Sequence, residues 1–159
     1  MPITQSTLAA QPFFKGLSAP QLAVLLANSM EVEFPAGKSI FKESELANRF
    51  YLVLKGQVAL ESAAKDKKGV PQLIQTIGAG DVLGWSWLFP PYYWRFDARA
   101  VKPTKAIFIY GTRVRELCEQ DHDLGYELMK RTAEVLIGRL QATRRQLLEQ
   151  AVKAPAASR

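Results

Sequence analysis

The 159-residue chain has one cysteine, Cys118, and one histidine, His122. A lone cysteine rules out an intrachain disulfide and points to a reducing compartment. Within its helical pattern, Cys118 reads as a small buried hydrophobe rather than a nucleophile. The histidine stands in Gln-Asp-His-Asp with no second histidine or cysteine nearby, so a metal site is not expected. The chain also lacks a Ser/His/Asp or Cys/His set, a framed pair of carboxylates, and a Walker or dinucleotide fingerprint, so no catalytic residues are assigned and an enzyme is not expected. No apolar run approaches the length of a membrane span, and no basic-then-apolar leader opens the chain. A cytoplasmic protein without a membrane partner is therefore expected. Charge of one sign is not concentrated either. The balance of 21 Lys and Arg against 15 Asp and Glu gives +6, but the cations are scattered, and several fall in a C-terminal helical stretch where a solvated face is their ordinary role.

What is present is a 48% hydrophobic chain of one-domain size, able to bury a core. A single domain is expected over residues 1–153, with a loose tail at 154–159. Residues 12–29 form its helical start, with a hydrophobic anchor, Phe13-Phe14-Lys-Gly16-Leu17, and a short helix capped by Ser18 with Pro20 in its first turn. Over residues 30–111 the period changes to that of strands. Val32 and Phe34 are separated from Ile40 and Phe41 by a Pro-Ala-Gly turn, and Phe50–Leu54 and Gln57–Leu60 are joined at Gly56, a hairpin being the simplest connection. Gln72–Ile77 and Ala106–Tyr110 are further strands. Many short strands spaced by Gly and Pro turns argue a closed or rolled antiparallel sheet. Residues 112–153 are helical, with Thr112 or Asp121 as candidate caps. Ala133, Leu136, Leu140, Thr143 and Leu147 recur at alternating spacings of three and four, the a/d seam of a helix that packs on another helix. The simplest partner is its own twin, giving a homodimer through residues 124–152.

The stretch from Gly78 to Thr104 organises the rest. Its glycine-rich turn, in which Gly80 and Gly84 admit unusual backbone angles, can aim N–H groups at an anion. The chain then passes toward a short helical piece, closes through Pro90-Pro91 and returns as a strand, with Arg95 near the start of that strand. Two readings fit: a phosphate pocket built from backbone donors and a guanidinium, or a surface hairpin rich in aromatic residues. The cluster Trp85, Trp87, Tyr92, Tyr93 and Trp94 likewise fits either packing or a stacking platform.

Taken in order, Phe14-x-Gly16-Leu17, Phe34-x-x-Gly37-x-x-Ile40-Phe41-x-Glu43, Phe50-Tyr51-x-Val53-x-x-Gly56-x-Val58, Ile77-Gly78-x-Gly80-Asp81-Val82-Leu83-Gly84 and Pro103-Thr104 resemble the cyclic nucleotide-binding domain of the catabolite activator protein superfamily. The resemblance covers about residues 12–150. It implies a mainly β fold with flanking helices, an eight-stranded jelly-roll (double-stranded β-helix) barrel, a phosphate-binding cassette between two strands, and a long C-terminal dimerisation helix. It further implies that cyclic AMP or another cyclic nucleotide is the candidate ligand and that Thr143 meets the base of the nucleotide; with the cassette read as above, the expected ligand-binding set is Gly84, Trp85, Ser86, Arg95 and Thr143.

The cassette departs from the family where it matters most. The family's glutamate, which holds the ribose hydroxyl, is replaced by Trp85, which cannot accept that hydrogen bond; neighbouring Ser86 accepts more weakly. Counting back from Pro103-Thr104 places Trp94, not Arg95, at the position of the family's arginine, and a one-residue shift turns a side chain to the opposite face of a strand. Arg95 serves the phosphate only if the Pro90-Pro91 loop re-aims it. The expected function is a stand-alone regulatory, ligand-sensing module that binds a cyclic nucleotide or a similar phosphate-bearing molecule weakly and signals through an effector protein of unknown identity. The alternative is a degenerate domain acting as a structural dimer or docking module. Specific DNA binding is not expected, because no reading helix follows the dimer helix in the sequence.

Overall fold

The computed structural model describes residues 2–153; the tail expected to be loose, residues 154–159, lies outside the described residues. Among the described residues thirteen elements follow one another, with helices at both ends and eight strands between them. The chain opens with helix α1 (Gln5–Ala9), held by a reciprocal Thr4/Thr7 capping box and anchored by the fully buried Leu8. The polar lead gave no sign of it, because one leucine makes no period. A single 3-10 turn (Pro12–Phe14) buries Phe13 and Phe14. Helix α2 (Ala19–Ala27) then begins at Ser18, which caps it together with Gln21. That start was legible, since Ser-x-x-Gln satisfies two orphan N–H donors at once.

The strands form two four-stranded antiparallel sheets. The first has the order β1 (Ser29–Phe34), β8 (Thr104–Ile109), β3 (Phe50–Lys55), β6 (Val82–Leu83). The second has the order β2 (Ser39–Phe41), β7 (Asp97–Ala100), β4 (Gln57–Lys65), β5 (Pro71–Gly78). This is the rolled, jelly-roll arrangement, mainly β with flanking helices. Alternation along β3 separates two cores. Phe50 and Leu52 point toward the helices, with Trp87, Ile107 and Leu128, whereas Tyr51 and Val53 point into the roll, with Phe41, Leu60, Trp94 and Ala98.

One connection corrects the sequence reading. Phe50–Leu54 and Gln57–Leu60 are not a hairpin: β3 pairs with β6 and β8, and β4 pairs with β5 and β7. Gly56 carries the chain from one sheet to the other at φ 108°, and a β-carbon there would lie 2.5 Å from Thr104 Oγ1. The glycine marks a corner of the roll, where strands change sheets, rather than a tight reversal. A true hairpin joins β4 and β5 through the charged turn Asp66–Gly69.

After β8, helix α3 (Gly111–Gln120) starts without a side-chain cap, so Thr112 is not one. Asp121 is a cap: its Oδ1 accepts from the N–H groups of Asp123 and Leu124 and starts helix α4 (His122–Lys153). The first turns of α4 bury Leu124, Leu128 and Thr132 against the roll. Farther along, Leu140, Leu147 and Val152 stand exposed on the single chain.

Candidate functional site

The cassette is entered through a turn fastened to β3. Val53 donates to the Asp81 carbonyl and accepts from Gly80, while Gly78 donates to the Asp81 carboxylate at 2.9 Å. Strand β6 then delivers Gly84, which has φ 97°. From there to Phe96 the backbone runs in turns, so the short helical piece expected inside the cassette does not form. A single i+3 bond from Leu88 N–H to the Trp85 carbonyl is all that remains of it before the chain reaches Pro90 and Pro91, whose missing N–H groups cannot extend a helix. The Pro90–Pro91 peptide is cis. Arg115 donates to the Trp87 carbonyl and lies over the ring of Tyr92, 3.8 Å from its centroid, which pins this loop to α3.

Three of the five site residues expected from the sequence meet one another. Arg95, exposed on the outer side of the returning chain, donates from Nη1 to Ser86 Oγ at 3.0 Å, and its guanidinium lies 4.9 Å from the centre of the Trp85 ring. No carboxylate pairs with it among the described residues. Ser86 is fully buried, and the backbone N–H groups of Trp85, Ser86 and Trp87 donate to no acceptor among the described residues. The result is a cationic corner with several hydrogen-bond donors. Such a corner offers an anion an unneutralised guanidinium packed on an indole.

Gly84 adjoins this corner and serves a second purpose. A β-carbon on it would lie 2.8 Å from the Trp94 ring, so the glycine makes room for that indole. Trp94, which the count back from Pro103-Thr104 placed where an arginine was expected, turns into the roll and stacks on Phe41 with centroids 3.8 Å apart and planes 8° from parallel. Arg49 lies 5.7 Å from the Trp94 ring and donates to the Tyr51 hydroxyl at 2.7 Å. Burial pushes the Tyr51 phenol up, with the Arg49 guanidinium opposing it. The Nε1 groups of Trp85 and Trp94 are both buried without an acceptor among the described residues. The aromatic cluster therefore divides. Trp87 stacks on Phe50 in the core beneath the helices, Trp94 fills the roll, and Trp85 supports Arg95.

Thr143 is not brought to this corner. It sits exposed on α4, three residues before Gln146, which donates to the Ile74 carbonyl of β5. The residue of α4 that does reach the cassette is Arg139, which donates from Nη2 to the Val82 carbonyl at 2.6 Å and lies 5.7 Å from the Phe96 ring. Neither Arg139 nor Arg49 stood out in the sequence. Each lies in a stretch where a charged residue ordinarily faces solvent, and only the spacing of Trp94 beside Arg95 hinted that the interior had been refitted.

Two clefts of about 590 and about 580 Å3 flank the cassette. The second, beside the Pro90 loop, holds Cys118, whose thiol burial pushes up to about 11, together with His122 and Met129.

Residues 31–121 match the model of the cyclic nucleotide-binding domain. The chain is 25% identical over 142 residues to the CRP-like cAMP-activated global transcriptional regulator of Mycobacterium tuberculosis, an alignment covering 89% of this chain and 61% of that protein. It thus spans less than two thirds of the curated relatives it matches. Among solved structures, a candidate cyclic nucleotide-binding protein from Geobacter metallireducens superposes with a TM-score of 0.79 at 33% identity, covering 87% of this chain and 98% of the other. The catabolite activator protein of Thermus thermophilus superposes with a TM-score of 0.66 at 23% identity, over 88% of this chain and 63% of the other, and shares the fold.

Proposed function

The chain belongs to the cyclic nucleotide-binding domain family, and from that premise we propose that it is a regulatory module that weakly binds a phosphate-bearing small molecule, with cyclic AMP or another cyclic nucleotide the first candidate, and relays its occupancy to a partner protein. The observation that carries this reading is Arg95, held on Ser86 and Trp85 with no carboxylate to neutralise it. A phosphate at this corner would meet the guanidinium, the Ser86 hydroxyl and the free amides of Trp85, Ser86 and Trp87. Trp85 in place of a glutamate removes a charge-assisted hydrogen bond worth roughly 1.5 to 3 kcal/mol, or about one to two decades of affinity. Binding weaker than is usual in the family is therefore expected.

Calorimetric titration with cyclic AMP and cyclic GMP, on the wild-type chain and on Arg95→Ala, tests this. A measurable association weakened at least about tenfold by the substitution is the expected outcome, that being the value of one charge-assisted contact. Association unchanged by Arg95→Ala would remove that residue from the site.

A second reading is favoured by Trp94. Its indole occupies the interior of the roll beside Gly84, where it is packed on Phe41. On this reading the interior is permanently filled and the domain serves as a structural dimer or docking module. The absence of both heat and a shift in melting temperature at millimolar nucleotide would favour it, because a ligand bound only by the folded state must raise stability. Thr143 shares the uncovered face of α4 with Leu140 and Leu147, so on either reading a role for it depends on the dimer.

A further inference from the structure

The cleft of about 590 Å3 lies away from Ser86 and Arg95. It is bounded by the 3-10 turn at Pro12–Phe14, the turn at Gly80 and Asp81 that leads into β6, and the roll-facing side of α4. Its volume is that of an ordinary small-molecule site. Four cations, Lys15, Lys130, Arg131 and Arg139, line it against two carboxylates, Asp81 and Glu134. Two of the cations are already occupied. Glu127 engages both Lys130 and Arg131 from outside the cleft, and Arg131 also donates to the Lys15 carbonyl. Lys15 and Arg139 have no ion-pair partner among the described residues.

Arg139 is the unusual member. Its Nη2 is used by the Val82 carbonyl, but its Nη1 is shut off from solvent and donates to no acceptor among the described residues. Burial pushes its guanidinium down to about 10, with Asp81 opposing the shift. Folded proteins rarely leave a buried charged donor without an acceptor, and the group that relieves such a donor best is an oxyanion, which accepts from a guanidinium with matched geometry.

We propose that this cleft is a second anion-binding site, distinct from the cassette, which takes a small molecule bearing a phosphate dianion or a pyrophosphate, with Arg139 as its inner anchor and Lys15 at its mouth. Occupancy bears on the cassette through the bond from Arg139 to Val82, two residues before Gly84. The site thus couples α4 to the entrance of the cassette, and it stands or falls independently of ligand binding at Ser86 and Arg95.

The test is a calorimetric titration of the full chain with inorganic pyrophosphate at low salt. The expected result is a single site that Arg139→Gln weakens by about tenfold or more and Lys15→Gln by about threefold, while Arg95→Ala leaves it unchanged. Circular dichroism reports whether Arg139→Gln is folded. If it is not, the Lys15→Gln/Lys130→Gln double variant, altered only at half-exposed or exposed side chains, decides in its place. Three outcomes overturn the proposal: no association at millimolar pyrophosphate; loss of association in Arg95→Ala, which would place the anion at the cassette; or an equal loss in Lys67→Gln/Lys68→Gln at the distant β4–β5 hairpin, which would show attraction to net charge alone.

Discussion

At Gly84 the backbone takes φ 97°, and any β-carbon would meet the Trp94 ring at 2.8 Å. Gly37 has a similar φ of 85° with nothing within 4 Å. Both positions carry the left-handed penalty for a substituted residue, about 1 to 2 kcal/mol, but only Gly84 also forces a large ring out of its stack. Gly84→Ala should therefore destabilise the chain more than Gly37→Ala does, by about 1 to 3 kcal/mol, the usual cost of overpacking. Chemical denaturation of the two variants in parallel would measure the difference, and equal losses would mean that Trp94 is free to move aside and that the roll interior is open to a ligand after all. At this scale the sequence was legible where side-chain chemistry and register coincide. Trp94 faces inward and Arg95 outward, as a count back from Pro103-Thr104 requires. The contact of Arg95 with Ser86 was not legible, because it depends on a loop whose path is set by packing of Arg115 on Tyr92. Arg49 and Arg139 were invisible for a related reason: in a sequence, an arginine that is shielded from water looks the same as one that is not.

The elements themselves were easier to read than the connections between them. Ser18 with Pro20 in the first turn announced α2, and the apolar run Gln72–Ile77 announced β5. Gly56 misled, because a glycine between two apolar runs marks a reversal and a sheet corner equally well, and only the close approach of Thr104 separates them. Helix α4 poses the opposite problem. Its period is unambiguous, yet one chain leaves its later leucines uncovered, although Arg139 and Gln146 still reach the roll. Leu136 is half-buried, while Leu140 and Leu147 are 69% and 61% exposed. An uncovered stripe at a/d spacing is best buried against the same stripe on a second copy, related by a two-fold axis near Leu136 and Leu140. Each leucine so covered contributes about 1.5 to 3 kcal/mol, so Leu140→Asp should weaken a dimer by at least about two decades. Light scattering at micromolar concentration should give a dimer for the wild-type chain and a monomer for Leu140→Asp. A wild-type monomer, or a dimer indifferent to the substitution, would contradict this assembly.

At the scale of the whole molecule the remaining question is what the +6 charge does. The relatives from Mycobacterium tuberculosis are transcriptional regulators, which makes duplex DNA the obvious partner to test. The charge is not arranged for it. Arg99, Lys105, Arg113, Lys130 and Arg131 are each paired with a glutamate. Of the cations without a glutamate partner, Lys15 and Arg139 line a cleft and Arg95 rests on Ser86 and Trp85. Scattered cations attract phosphates without reading base edges, so whatever affinity this chain has for duplexes should be independent of sequence and governed by counterion release. Titrating labelled duplexes of unrelated sequence should give dissociation constants that agree within about threefold and rise by about tenfold or more between roughly 50 and 200 mM salt. A duplex preferred by three decades at the higher salt, in the range of sequence-specific readers, would require a base-contacting surface on this chain and would overturn the assignment of its charge to solvation and small anions.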